Sequence, residues 1–431
     1  MDTKRTHEVG LKSESPGGDY FVLTRKSGVG PFSFADPTKY KYDEKAPPPI
    51  YMRLDDLNRP QKFDPATLLR DFEVMPNGEL KVKDAEIIER QKGVISEIIK
   101  SFASKMLEGK SIVGLSLPVR IFEPRTQMER IADLFHFVPH FCRKAAESEN
   151  PIVRLQNVLA MLISPLMHTT SQRKPFNPLL GETYQGRLDK DTEIFMEHLS
   201  HHPPISRYLI TNPLFRVYGS LTYNAQISPT KLIAYNEGWS TVEFNDKRQI
   251  KFSHPAAHLS GLLVGQRSVR PCHTATAFDE QTQQKGVILV GEKQKGSFLG
   301  GLFKGKKYDI LHGEIYRYNP EEHAKLLKLD WALMNKSMEN FSDRVVTTAQ
   351  IKGNYFQNLF IDEEEVWNIT RDLPYSKQQF YSEDPLPSDS RFREDLIWLA
   401  YGNEKYAQEW KLRLEEQQRH DRKLRMKEKM K

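Results

Sequence analysis

Between Glu193 and Tyr318 the hydrophobic period falls to two, and no other stretch restricts the possible folds as much. Ile194-Phe195-Met196, Tyr208-Leu209-Ile210, Phe215-Arg216-Val217-Tyr218, Leu232-Ile233-Ala234-Tyr235, Thr241-Val242-Glu243-Phe244, Gln249-Ile250-Lys251-Phe252, Val287-Ile288-Leu289-Val290 and Ile310 to Tyr316 read as strands. They are separated by turn signals such as Asn212-Pro213, Asn236-Glu237-Gly238 and Asn245-Asp246. Short strands in series with no helix between them disfavour a parallel nucleotide-binding sheet. They predict an antiparallel meander, and a meander of this length closes into a barrel.

Different patterns flank the meander. Residues 1 to about 90 are rich in Gly, Pro, Ser, Lys and Asp and read as an extended, partly ordered arm. Ile95, Ile98, Ile99, Phe102 and Met106 then fall on one side of an amphipathic helix, followed by Gly109, Gly114 and Pro118. Such a helix either packs on the core or is a movable cover over a cavity. Pro118 to Met167 reads as helical, with apolar residues at helical spacing from Met128 to Val138 and from Pro151 to Met167. The segment from Arg173 to Tyr184 holds two prolines and a glycine, so it is a shaped loop rather than a regular helix or a central strand. Asp395 to Lys431 reads as a charged helix with Lys411, Glu415 and Arg419 on one face, ordinarily a solvated ladder of ion pairs.

Composition narrows the function. The 431 residues are 38% hydrophobic and 28% charged, an ordinary globular balance. A net charge of +6 favours anionic partners, yet the basic residues are not concentrated enough to argue for nucleic acid. Cys142 and Cys272 stand far apart, which fits neither a disulfide framework nor a thiolate zinc site and suits a reducing, cytosolic setting. No apolar run is long enough to cross a membrane as a helix. Gly300 to Lys307 satisfies GxxxxGK but has Lys307 where a magnesium-binding Ser or Thr belongs, with a strand following. A basic hairpin fits it better than a phosphate loop.

Ser200-His201-His202-Pro203-Pro204 concentrates the chemistry. Neighbours on a strand point to opposite faces, so two adjacent histidines serve one ligand only where the strand breaks, and the two prolines supply that break. Paired imidazoles at a sheet rim suit a metal, a carboxylate or a phosphate. No HExxH or GxSxG is present, and neither histidine has an evident nucleophile beside it, so catalysis finds little support.

Lys174-Pro175-Phe176-Asn177-Pro178-Leu179-Leu180-Gly181-Glu182, followed by the Ser200 to Pro204 box, resembles the oxysterol-binding-protein-related family in two motifs at the family's spacing. Leu117-Pro118-Val119 through Glu123-Pro124-Arg125 is similar to the family's entry segment. Asp389-Ser390-Arg391 with Lys411, Glu415, Gln418 and Arg419 is similar to its closing helix. The resemblance implies an α+β fold: a large incomplete antiparallel β-barrel around a lipid tunnel, with an N-terminal lid helix, a helical segment before the barrel and C-terminal helices. It divides the chain into an arm (1–90), lid and hinge (91–118), lipid-binding domain (119–423) and basic tail (424–431). It departs at Gln266-Arg267-Ser268, where many members place a tryptophan, and from Ala275 to Gly305.

What the family implies further is a cytoplasmic protein, transiently on membranes, that exchanges phosphatidylinositol 4-phosphate for a sterol or phosphatidylserine, with no cofactor, metal or enzymatic step. By position, Lys174, Asn177, His201, His202, Lys411, Glu415 and Arg419 would hold the phosphoinositide, and Ile95, Ile98, Ile99, Phe102 and Met106 would line the lid. Two other readings stay open on the residues alone. One is a lipid sensor or scaffold that binds without carrying. The other is a hydrolase or metalloenzyme built on His201, His202 and His198.

Overall fold

The computed structural model describes residues 10–11, 21–22, 72–83, 117–167, 173–228, 230–261, 267–291, 307–372 and 386–428, with isolated positions between 85 and 93. The helix expected from Val94 to Met106, and the tip of the basic hairpin at 300–306, lie outside the described residues. After a short antiparallel pairing of Gly10–Leu11 with Phe21–Val22 comes a hairpin, β1 (Phe72–Val74) with β2 (Leu80–Val82). After it come β3 (Phe122–Thr126), the helices α1 (Gln127–Ala132), α2 (Val138–Glu147) and α3 (Pro151–Ile163), and the short β4 (Lys174–Phe176).

The meander follows as β5 (Thr183–Asp189), β6 (Thr192–His201), β7 (Pro204–Asn212), β8 (Phe215–Ile227), β9 (Lys231–Glu237), β10 (Ser240–Phe244), β11 (Gln249–Ser253), β12 (Ala256–Ser260), β13 (Ser268–Asp279), β14 (Gln284–Val290) and β15 (Ile310–Tyr318). Two helices interrupt it, α4 (Pro320–Leu326) and α5 (Trp331–Glu339). It then resumes as β16 (Arg344–Asn354), β17 (Asn358–Ile361) and β18 (Glu364–Asn368). The chain closes on α6 (Glu394–Ala400) and α7 (Glu404–Glu428).

All of the numbered strands except β3 and β4 form one antiparallel sheet of 16, ordered β18-β17-β16-β15-β14-β13-β11-β10-β8-β7-β6-β5, with β9 and β12 bridging β8 to β13 and the β1–β2 hairpin on the edge of β13. Among the described residues its first and last strands do not pair with each other, so the barrel is incomplete. The sheet curls around the helical segment. Helix α3 packs against β11, β13, β14, β17 and β18, while α2 reaches β5 and β8. Leu155, Val158, Leu159, Ala160, Met161, Leu162 and Ile163 are all fully buried, as a helix with apolar residues on every side requires. Gly286 on β14 makes this approach possible, since a Cβ there would lie 2.3 Å from Leu159 Cδ1.

Strands β13 to β15 are covered on both faces. Ala275, Ala277, Ile288 and Val290 join the core around α3, and their neighbours Phe278, Val287 and Leu289 join a second cluster with Leu326 and Met338 under α4 and α5. Double burial is why Val287 to Val290 is continuously apolar. Beneath these helices the buried Lys285 ammonium lies 2.5 Å from Asp343, which also accepts from Tyr316 Oη at 3.0 Å.

Three expectations need correction. Pro118 to Met167 is not all helix, because Phe122–Thr126 is a strand paired in parallel with Lys174–Phe176, an edge position that tolerates Pro124. The meander begins at Thr183, inside the expected loop, and runs past Tyr318 to Asn368. The long strand Ser268–Asp279, with Pro271 inside it, was not visible as one either. Residues 72–82 do not stand apart from the body: Lys81 pairs with Ser268, Arg270 Nε donates to Glu79 at 3.2 Å, and Tyr355 Oη donates to the Gly78 carbonyl at 2.8 Å.

Candidate functional site

The site assembles from three distant segments. The Lys174 to Glu182 loop is fixed by its own end: Gly181, at φ +83°, donates its N–H to the His198 carbonyl at 2.9 Å, and the Glu182 carbonyl accepts from His198 N at 2.9 Å. Glu182 Oε2 accepts from the Leu179 N–H at 2.8 Å. Arg393 clamps the loop from the C-terminal side, donating to the Asn177 carbonyl at 2.8 Å and to Glu182 at 2.9 Å, and pairing with Asp395 at 2.6 Å. Burial pushes the Glu182 carboxyl up to about 7 although Arg393 opposes the shift. Asp389 and Arg391 form a second buried pair that caps Gln185.

On this frame Lys174 Nζ donates to Asn177 Oδ1 at 2.7 Å and lies 4.8 Å from the centroid of Phe122. Lys411, buried on α7, places its own ammonium 5.5 Å from the same ring and 2.6 Å from Glu415. Burial and the nearby Lys411 charge lower the Lys174 ammonium to about 8, with Glu415 opposing. Two cations lie against one aromatic ring, and one carboxylate acts on both.

The histidine box stands at the end of β6. A register shift between His198 and Ser200 in the β6–β7 ladder turns His201 back to the side of His198, and the His202–Pro203 bond is cis. His201 Nδ1 lies 3.3 Å from His198 Nε2, and the His201 and His202 rings meet at 4.7 Å. Burial, then the charges of His202 and Arg422, lower His201 to about 4, while Glu415 and the Pro178 carbonyl oppose. His202 is exposed and also lowered, by partial burial and Arg422. Glu415 thus acts on both Lys174 and His201, and joins the loop, the box and the helix.

Of the residues expected from the sequence, Lys174, Asn177, His201, His202, Lys411 and Glu415 are brought together. Arg419 is exposed on the next turn, and Arg422 is the guanidinium that acts on both histidines. Sequence reasoning missed Phe122, Arg393 and Arg422. The only signal for the first was its place beside Glu123-Pro124-Arg125 in the entry segment. Gln418 Nε2 is buried without a partner among the described residues. No cluster of three His, Cys, Asp or Glu able to hold a metal occurs among the described residues. None of the helices among them is long and apolar enough to cross a membrane.

The family model described as oxysterol-binding protein matches residues 99–431. Oxysterol-binding protein 9 of Dictyostelium discoideum is 30% identical over 354 residues, covering 80% of this chain and 79% of that protein. Oxysterol-binding protein-related protein 2 of Mus musculus is 25% identical over 360 residues, 72% of each. Among solved structures, the Osh3 ORD in complex with PI(4)P from Saccharomyces cerevisiae superposes with a TM-score of 0.56 at 23% identity, covering 75% of this chain and 84% of that one. The Osh1 ORD domain in complex with ergosterol gives a TM-score of 0.54 at 20% identity, covering 80% and 90%. The shared sheet, the two motifs and the matched length carry one conclusion: this chain belongs to the oxysterol-binding protein family.

Proposed function

We propose that this protein is a non-enzymatic lipid carrier that extracts phosphatidylinositol 4-phosphate from one membrane and exchanges it for a second lipid, a sterol or phosphatidylserine, at another. The observation that carries the reading is the convergence of Lys174, Lys411 and His201 around Glu415. A phosphomonoester carries about −1.5 to −2 charges at neutral pH and several strong acceptors. Two ammonium groups, imidazole N–H donors and the unpartnered Gln418 amide match it, and Glu415 orients Lys411 or accepts an inositol hydroxyl. Relatives of the same fold bind such ligands, one PI(4)P and another ergosterol.

The tails set the larger energy. At about 0.8 kcal/mol per methylene, some thirty methylenes would cost about 25 kcal/mol to expose, so transfer needs an apolar enclosure. The curled sheet is the proposed wall, and the helix of Ile95, Ile98, Ile99, Phe102 and Met106 is the proposed lid. The carrier works in the cytoplasm and touches organelle membranes transiently. Liposomes containing the phosphoinositide test this. Wild-type protein extracts it stoichiometrically, and Lys174→Ala or the pair His201→Ala with His202→Ala loses extraction with an unchanged melting temperature. Undiminished extraction by both variants would overturn the assignment.

A further inference from the structure

The ladder of ion pairs that the spacing suggests along α7 stops after one rung. Lys411 lies 2.6 Å from Glu415, but among the described residues Arg419, Arg422 and Lys423 pair with no carboxylate, and Asp421 turns instead to Gln417 at 2.8 Å and His420 at 3.6 Å. All three cations are exposed. At about 100° per residue they fall, with Lys411 and Glu415, within about a third of the helix circumference, so the face that enters the site continues past it as a row of open charges. Ala407, Lys411 and Leu414 are buried, whereas Arg422, Lys423 and Leu424 are exposed in succession, which leaves the helix open on most of its sides. From Arg419 to Glu428 the sequence holds five Lys and Arg against two Asp and Glu, a net +3 of the chain's +6 in ten residues. The helix dipole favours cations only in its last turn, and Arg419, Arg422 and Lys423 all precede that turn.

We propose that Arg419, Arg422 and Lys423 form a docking surface for a bilayer containing anionic phospholipid, and that docking there brings the opening of the lipid site onto the membrane. The second half rests on the carrier reading above. Lys423 stands about 18 Å along the helix axis from Lys411, too far for both to hold one phosphate, so the row calls for several phosphates spread over a surface. Apolar side chains share the same edge. Leu424 is 48% exposed beside the cations, and the histidine box exposes Leu199 to 38% together with His202 and Pro203. Helix α7 is held beside the loop by Lys411 and Lys174 against Phe122, and Arg422 is near enough to act on His201 and His202. A bilayer takes both kinds of group, phosphates meeting the cations and acyl chains the leucines. A nucleic acid would satisfy only the charges.

Sedimentation of the full-length protein with phosphatidylcholine vesicles, with and without added phosphatidylglycerol and with no phosphoinositide, isolates this surface, because phosphatidylglycerol is neither of the proposed cargoes. Wild type should bind the anionic vesicles and not the neutral ones, and should let go as salt rises. Each cation near an anionic leaflet adds about a factor of five, so Arg422→Gln with Lys423→Gln should bind about 25-fold more weakly at an unchanged melting temperature. Lys190→Gln with Lys247→Gln removes the same charge from exposed positions in the β5–β6 and β10–β11 turns, at the other end of the sheet from the box, and should bind like wild type. Wild type that ignores phosphatidylglycerol, a first double variant that binds as wild type does, or an equal loss in both double variants would overturn the proposal. Extraction of phosphatidylinositol 4-phosphate from neutral vesicles is scored separately. Should wild type dock but extract none, the carrier reading falls and the docking surface stands; should it extract but not dock, the docking surface alone falls.

Discussion

Lys174 and Lys411 come from opposite ends of the folded region and set their ammonium groups 4.8 and 5.5 Å from the centroid of one ring, Phe122. Like charges so placed repel, and Lys174 gives up part of its basicity as a result, after the larger effect of burial. A doubly charged phosphate laid between them reverses the sign of that interaction. The Phe122 ring therefore attracts both cations. Phe122→Leu keeps the apolar volume and removes the ring's negative face, a change of about 0.5–2 kcal/mol per cation. Phosphoinositide binding in a liposome flotation assay should weaken severalfold while the urea midpoint stays put.

The lowered Lys174 ammonium gives binding a pH limit. An anion prefers the protonated amine, so affinity is full below about 8 and declines as pH rises through that value. Lys174→Arg, whose guanidinium stays charged, should flatten the alkaline side of the profile. Binding measured from pH 6.5 to 9.5 checks the sign.

His198 makes the fold acid-sensitive. Its folded value lies at about 3 against 6.5 unperturbed, so the unfolded chain binds the extra proton, and stability is lost as pH falls from 6.5 towards 3. The slope expected from this residue is about 1.4 kcal/mol per pH unit within that window. Urea titrations at pH 7 and pH 5 should show a smaller pH difference for His198→Gln than for wild type.

Arg393 closes the loop and should be the most costly charge to remove. Glu182 and Asp395, the two carboxylates it pairs, are both fully buried. Arg393→Met leaves them uncompensated, and a loss of about 3–5 kcal/mol is expected in denaturant unfolding. Removing all three charges together should restore part of it.

Gly286 and Leu159 form a packing pair. Gly286→Ala should cost about 1–3 kcal/mol by forcing α3 off β14. Leu159→Ala alone should cost about 2–5 kcal/mol through its cavity. The double variant should fall short of the sum, because the new methyl group occupies space that the leucine vacates; thermal unfolding of the four proteins measures the coupling.

The sheet and most of the site were legible in the chain for separate reasons. Alternation marked the strands from Ile194 to Tyr316, and two contiguous motifs carried Lys174, Asn177, His201 and His202. Lys411 and Glu415 were legible from helical spacing and family position, and their 2.6 Å ion pair follows from it. Phe122, Arg393 and Arg422 were not, because each acts by arriving from elsewhere in the fold, and no local pattern records where a chain will arrive. Strands β16 to β18 were missed because α4 and α5 interrupt the alternation. The hairpin around Gly78 was hidden in a stretch whose composition resembles a linker, and its pairing with Ser268 and its fit against Asp309, Arg270 and Tyr355 are contacts with distant parts of the chain.

Movement of lipid between two membranes tests the central claim most directly. Donor liposomes carrying phosphatidylinositol 4-phosphate and acceptor liposomes lacking it would be mixed with protein at a small fraction of the lipid concentration, and the acceptor's phosphoinositide content followed with time. The account predicts many molecules delivered per protein, with Lys174→Ala and Lys411→Ala near the uncatalysed rate. Phosphoinositide that stays on the donor while the protein binds there would contradict it and make the protein a sensor.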